Sequence, residues 1–148
     1  MTATTKPSVA HLASPDEMEQ QFYDALRHGD IERLMSIWAD EEEISCVHPG
    51  GPRLVGALAI RASFDGMFAN GVIDVQPQQV RRVRTHSTAV HSVVEAVRVA
   101  GSDGPQTAWV LATNVYIKTG LGWRMVAHHA SPGSARDVAD AGVASVLH

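Results

Sequence analysis

The sequence predicts an α+β fold, and three observations carry that prediction. Apolar residues recur at helical spacing only in the first half of the chain. Four β-rich stretches follow one another from residue 72 onward. The breaks between those stretches are short, as antiparallel neighbours require. Helices first and a sheet afterwards places the helices on one sheet face. With 148 residues, 45% of them hydrophobic, a single domain around one core is expected.

Residues 1–13, rich in Thr, Ala, Ser and Pro, read as a flexible lead, with the folded domain spanning 14–131. Ser14-Pro15-Asp16-Glu17 supplies a helix start: Ser14 caps, Pro15 suits the first helical position and Glu17 completes a capping box. Met18, Phe22, Ala25 and Leu26 form its apolar face, and Gly29 ends it in a left-handed conformation. Asp30 caps a second helix whose apolar face is Ile31, Leu34, Met35 and Trp38. Ile44, Cys46 and His48 alternate with Ser45 and Val47, which reads as a short strand. His48-Pro49-Gly50-Gly51-Pro52 stops it, because prolines and glycines do not continue a ladder. Gly56 precedes a third helix carrying Ile60, Phe64, Met67 and Phe68, closed by Asn70-Gly71.

Residues 72–84, 89–99, 107–118 and 123–130 then predict a four-stranded meander. Pro77 confines its part of the first long strand to an edge or a bulge. The strands are apolar at both parities, with Val93, Val97 and Val99 on one side and Val94 and Ala96 on the other. Three helices cannot cover two faces, so a homodimer through the uncovered face is expected. Residues 132–148 form a tail that either stays loose or folds against a neighbouring subunit.

Composition excludes several classes. A net charge of -4 without a basic stripe argues against nucleic-acid binding. One cysteine, Cys46, excludes an internal disulfide framework and a cysteine-built metal site. No run of 18 apolar residues is present, so no membrane span is expected. The first fourteen residues lack a hydrophobic secretory core, which makes the cytoplasm the expected compartment. No Gly-x-Ser-x-Gly, phosphate-loop or dinucleotide fingerprint appears, and no cofactor is expected.

Several words in the chain carry a family resemblance. Gly29-Asp30 joins the first two helices, and Trp38 ends the second. Val47-His48-Pro49 precedes Leu54-Val55-Gly56, then come Ala112-Thr113-Asn114-Val115-Tyr116 and the run Gly122 to Ser131, with His129-Ala130-Ser131 six residues beyond Trp123. With the order α-α-β-α-β-β-β-β, these words resemble the nuclear transport factor 2-like superfamily, in its SnoaL-like branch. They are also similar to the association domain of calcium/calmodulin-dependent kinase II. The resemblance implies a cone-shaped, cystatin-like fold: a curved antiparallel sheet with three helices on its concave face, enclosing a deep pocket and usually dimeric. Such folds include isomerases, cyclases, dehydratases and hydrolases, as well as modules that only bind or assemble, so fold alone selects no reaction. Association domains of the kinase type carry pocket arginines at positions matching Glu95, Asn114 and Ala130. The absence of arginine at all three argues against carboxylate recognition by that route.

Within this frame, Glu95 sits mid-strand among apolar neighbours. Burial there raises a carboxyl pKa and makes a candidate acid or base, against the plainer reading of an ion pair with Arg98 or Arg124. His48, at the expected rim, is a candidate acid, base or ligand-orienting donor, against the plainer reading of a loop-holding histidine. His128 and His129 are adjacent in a strand and face opposite ways, so they do not jointly grip a metal ion. Alternation groups His129 with Trp123 and Met125, and His128 with Arg124 and Val126. Comparison with the kinase association domain favours the His128 side as pocket-facing, and both remain candidates. Asn114, Trp38, Trp109 and Trp123 are candidate ligand contacts, although tryptophans at amphipathic spacing are more often core. Cys46 reads as a small buried hydrophobe.

The sequence thus leaves two readings. In one, Glu95 with a histidine moves a proton on a small apolar or carbonyl-bearing ligand without a cofactor. In the other, the chain is a non-catalytic association or ligand-binding module.

Overall fold

The computed structural model describes residues 14–138. The expected lead over 1–13 and the 139–148 part of the expected tail lie outside the described residues. Helix α1 (Pro15–His28) begins where Ser14 Oγ accepts a hydrogen bond from Glu17 N, at 3.2 Å. It ends at Gly29, whose φ of 63° lets Gly29 N and Asp30 N fold back onto the Leu26 and Ala25 carbonyls. Asp30 then caps α2 (Ile31–Ile37) by accepting from Arg33 N at 3.1 Å. No helix among the described residues is long and apolar enough to cross a membrane.

The sheet contains β1 (Ser45–Val47), β2 (Arg53–Val55), β3 (Val75–Arg84), β4 (Thr88–Gly101), β5 (Gly104–Thr119) and β6 (Gly122–Pro132), in the spatial order β2-β1-β6-β5-β4-β3. The last four form the expected antiparallel meander. Two features go beyond the sequence reading. Residues 53–55, not among the strands expected from the sequence, form β2, which pairs antiparallel with β1 before α3 (Ala57–Phe68) starts. Strand β1 in turn lies parallel to β6, so the sheet is mixed at that end. The strands also run further than expected at the Gly101–Gly104 connection. Ser102 and Asp103 alone make the turn, and Gly104 adopts a φ of 108°.

Pro77 satisfies both of its permitted contexts. Strand β3 is an edge of the sheet, and its register shifts between Gln78 and Arg81 around Gln79, which has a φ of 48°. The two long helices lie over one face. Met18, Phe22, Leu26, Ile60 and Phe64 pack there with Cys46, Val75, Val93, Tyr116 and Met125 from the strands. The other face is only partly covered, and Val83 on it is 69% exposed. Part of the expected tail docks on its own sheet: Gly133 N donates to Trp109 O at 2.8 Å, and Gln79 Nε2 reaches Val138 O.

Candidate functional site

The helix-covered face of the sheet holds a cavity of about 320 Å³. Its walls are mostly apolar, including Leu26, Phe64, Met67, Ile73, Val97 and Val110, and its polar side chains are His48, Glu95 and His128. Among the described residues, no lysine or arginine lines it. The sheet explains the placement. Glu95 lies opposite Val110 on β4–β5, His128 lies opposite Asn114 on β5–β6, and Cys46 on β1 lies opposite His128.

Glu95 is buried, and its Oε2 accepts a hydrogen bond from Tyr23 OH at 2.7 Å. Burial pushes its carboxyl up to about 7; the Tyr23 bond opposes the rise and the nearby Glu19 charge adds to it. The hydroxyl of Tyr23 thus takes the place of the arginine partner, Arg98 or Arg124, that the plainer reading of Glu95 required. Tyr23 OH also accepts from Asn114 Nδ2 at 3.1 Å, and the same amide nitrogen donates to Glu19 Oε2 at 3.2 Å. Glu19 Oε2 further accepts from Tyr116 OH at 3.1 Å and pairs with His91 Nδ1 at 2.8 Å. On its other side Asn114 meets the second cavity histidine, its Oδ1 lying 2.6 Å from His128 Nδ1. Glu95, Tyr23, Asn114, Glu19, His91, Tyr116 and His128 therefore form one buried hydrogen-bonded network, with its Glu95 and His128 ends at the cavity.

His128 is buried and packs against the Phe22 ring, 5.0 Å between centroids. Burial, then the nearby His48 and His129 rings, lower its pKa to about 3, so it is a neutral imidazole at ordinary pH. His48 sits at the mouth between β1 and the Pro49–Gly51 turn. Its Nε2 lies 2.8 Å from Ser63 Oγ and its ring stands edge-on to Phe64, while burial lowers its pKa. Cys46 is buried beneath it, its thiol pushed up to about 12 by burial. Among the described residues no group of three His, Cys, Asp or Glu side chains is placed to hold a metal ion.

Of the residues singled out in the sequence, the structure gathers Glu95, His48 and His128 at the cavity, with Asn114 behind them. It separates the rest. His129 is exposed on the opposite face, paired across the sheet with Thr113 and Val47. The register shift between Val115 and Tyr116 opposes an extra residue, Val126, on β6. That bulge breaks simple alternation, so His128 and not His129 shares the inner face with Trp123 and Met125. Trp38 and Trp123 belong to the core away from the cavity, with Arg84 stacked 5.0 Å over the Trp123 ring. Trp109 lies on the outer face, opposite Ala96.

The sequence reading missed Glu19, Tyr23, His91 and Tyr116. Two signals for them existed. Glu19 and Tyr23 are four residues apart, bordering the apolar stripe of α1, and His91 is four residues before Glu95 on the same strand face.

Known proteins share this architecture. The SnoaL-like domain model matches residues 16–135. A protein from Thiobacillus denitrificans, provisionally described as a calcium/calmodulin-dependent protein kinase type II association domain, is 34% identical. The match covers 82% of this chain and 96% of that one, with a TM-score of 0.74. A protein from Streptomyces avermitilis, provisionally described as a dehydratase of the NTF2-like family, is also 34% identical, covering 81% and 94% with a TM-score of 0.72. The kinase II hub of S. rosetta, 20% identical over 82% and 98% at a TM-score of 0.65, shares the fold. No curated protein matches the sequence.

Proposed function

This chain belongs to the SnoaL-like domain family, and on that premise we propose that it is a small-molecule-binding module whose ligand has an apolar body and one hydrogen-bonding group. The cavity carries this reading: a partly open, largely apolar space of about 320 Å³ with Glu95 and His128 set into its wall. Core packing alone would fill that volume and would not leave a carboxyl and an imidazole facing it. Native mass spectrometry of freshly purified protein, before and after denaturing release, tests the reading. A co-purified apolar compound lost from a Val110→Trp variant supports binding in the cavity. Equal retention by that variant would place the compound elsewhere.

One observation favours a second reading, proton transfer without a cofactor. Glu95, pushed up to about 7, exchanges its proton near neutrality, as a general acid or base requires. The relatives at 34% identity bear provisional descriptions from both classes, a dehydratase and an association domain. Turnover of the released compound that disappears in Glu95→Gln would favour the enzyme, and retention of binding without any turnover the module.

The partly bare outer face supports a homodimer: Val83 is exposed on the β3 edge strand, and Val90 and Trp109 are half-buried on the same face. Light scattering checks this: a Val83→Glu variant is expected to run at half the wild-type mass, and an unchanged mass would dismiss that face as the contact.

A further inference from the structure

Both hydrogen-bonding ends of the buried network meet the cavity, and the polarity of the His128 end is set by residues that do not line it. We propose that Glu19 and Asn114 are positioning residues that fix the tautomer of His128, so that the cavity presents an imidazole lone pair and selects ligands that donate a hydrogen bond.

One amide links the two ends. Asn114 has two orientations, which differ in whether its oxygen or its nitrogen faces His128. Its other end lies 3.2 Å from Glu19 Oε2, an oxygen that also accepts from Tyr116 OH. A carbonyl oxygen turned toward that acceptor would be repelled, so Asn114 points its Nδ2 at Glu19 and at Tyr23 OH. That leaves Oδ1 facing His128 Nδ1 at 2.6 Å, and a carbonyl oxygen only accepts. His128 therefore carries its proton on Nδ1, and Nε2 is the unprotonated nitrogen. No protein group is hydrogen-bonded to Nε2 among the described residues, and His128 is part of the cavity wall. Glu95 differs, because its carboxyl is able either to accept or, when protonated, to donate. A hydroxyl on an apolar ring satisfies His128 Nε2, whereas a ketone in the same place sets two acceptors against each other.

This ligand class rests on the binding reading above, but the tautomer does not, and the experiment separates them. Long-range proton–nitrogen NMR of histidine-labelled protein is expected to show His128 as the Nδ1–H form. Asn114→Leu is expected to move it toward the Nε2–H form while leaving the exposed His129 pattern unchanged. A wild-type spectrum dominated by the Nε2–H form would overturn the proposal even if the variant failed to fold. 1-Tetralol and 1-tetralone then serve as matched probes. The alcohol is expected to bind about three- to tenfold more tightly, the worth of one hydrogen bond. Equal affinities alongside an Nδ1–H spectrum would overturn the ligand class. Failure of both probes to bind would count against the binding reading and leave the tautomer to the spectrum.

Discussion

Replacing Glu95 by glutamine should stabilise the protein at alkaline pH and do little in acid. The carboxyl is buried and its pKa is pushed up from 4.5 to about 7, chiefly by loss of solvent. The sign follows from proton linkage. The folded state holds this proton more tightly than the unfolded chain, so stability is full below the unfolded value and falls as pH rises through the folded one. A tenfold difference in proton affinity between the two states corresponds to about 1.4 kcal/mol, so above the folded value the ionised carboxylate costs on the order of 3 kcal/mol. Glutamine keeps an oxygen to accept the Tyr23 hydroxyl and has no charge to bury. Urea unfolding of both proteins at about pH 8 and about pH 4 measures the effect, because all other titrations cancel in the difference. A variant no more stable than wild type at the higher pH, or a gap of the same size at both, would refute the claim that Glu95 is buried without a compensating cation.

Four further outcomes follow from the same interior. The His128 ring proton signals should stay fixed from about pH 8 down to about pH 5, since burial holds its pKa to about 3; an ordinary midpoint near 6.5 in an NMR titration would contradict this. Tyr23→Phe removes a donor to Glu95 and an acceptor from Asn114, and should cost about 1–3 kcal/mol in denaturant unfolding while raising the Glu95 pKa further. Cys46, with its thiol pushed up to about 12, should react with a disulfide reagent only after unfolding, as a timed absorbance assay would record. Gly29→Ala should lower stability by about 1–2 kcal/mol in thermal melts, because the residue has a φ of 63° and the new Cβ would lie 3.3 Å from Val72.

Local signals made most of the fold legible. The Ser14 and Asp30 caps, the Gly29 stop and the Pro77 irregularity each act within a few residues, and the structure uses them as the sequence suggests. Strand β2 was not legible, because three residues between a Pro-Gly turn and a helix show no periodicity, and their pairing with β1 is decided by the tertiary fold. The β6 bulge escaped for a related reason. An extra residue at Val126 leaves no compositional mark, yet it reverses which histidine faces inward. Glu95 stood out because a lone carboxylate interrupts an apolar strand. Glu19 and Tyr23 did not, since a polar pair at the margin of an amphipathic helix is the ordinary way such a stripe ends. Their burial depends on how far α1 settles into the curved sheet.

The titratable groups lining the cavity are all displaced in one sense. Burial raises the Glu95 carboxyl and lowers both His48 and His128, so each is biased toward its neutral form. With no lysine or arginine among the described lining residues, nothing there offsets the desolvation of a charged ligand. An ionised carboxylate ligand would be repelled by Glu95 whenever that group is itself ionised, and a cation would find only one partner for its charge. A neutral ligand meets neither cost. The same contrast decides which group could act if chemistry occurs. His128, held at about 3, accepts a hydrogen bond through Nε2 but takes up no second proton at neutral pH. Glu95, at about 7, exists in both forms there. Proton transfer in this cavity would therefore pass through Glu95, with His128 orienting the ligand, and the two roles should separate experimentally: Glu95→Gln abolishing turnover with binding kept, and His128→Leu weakening binding first.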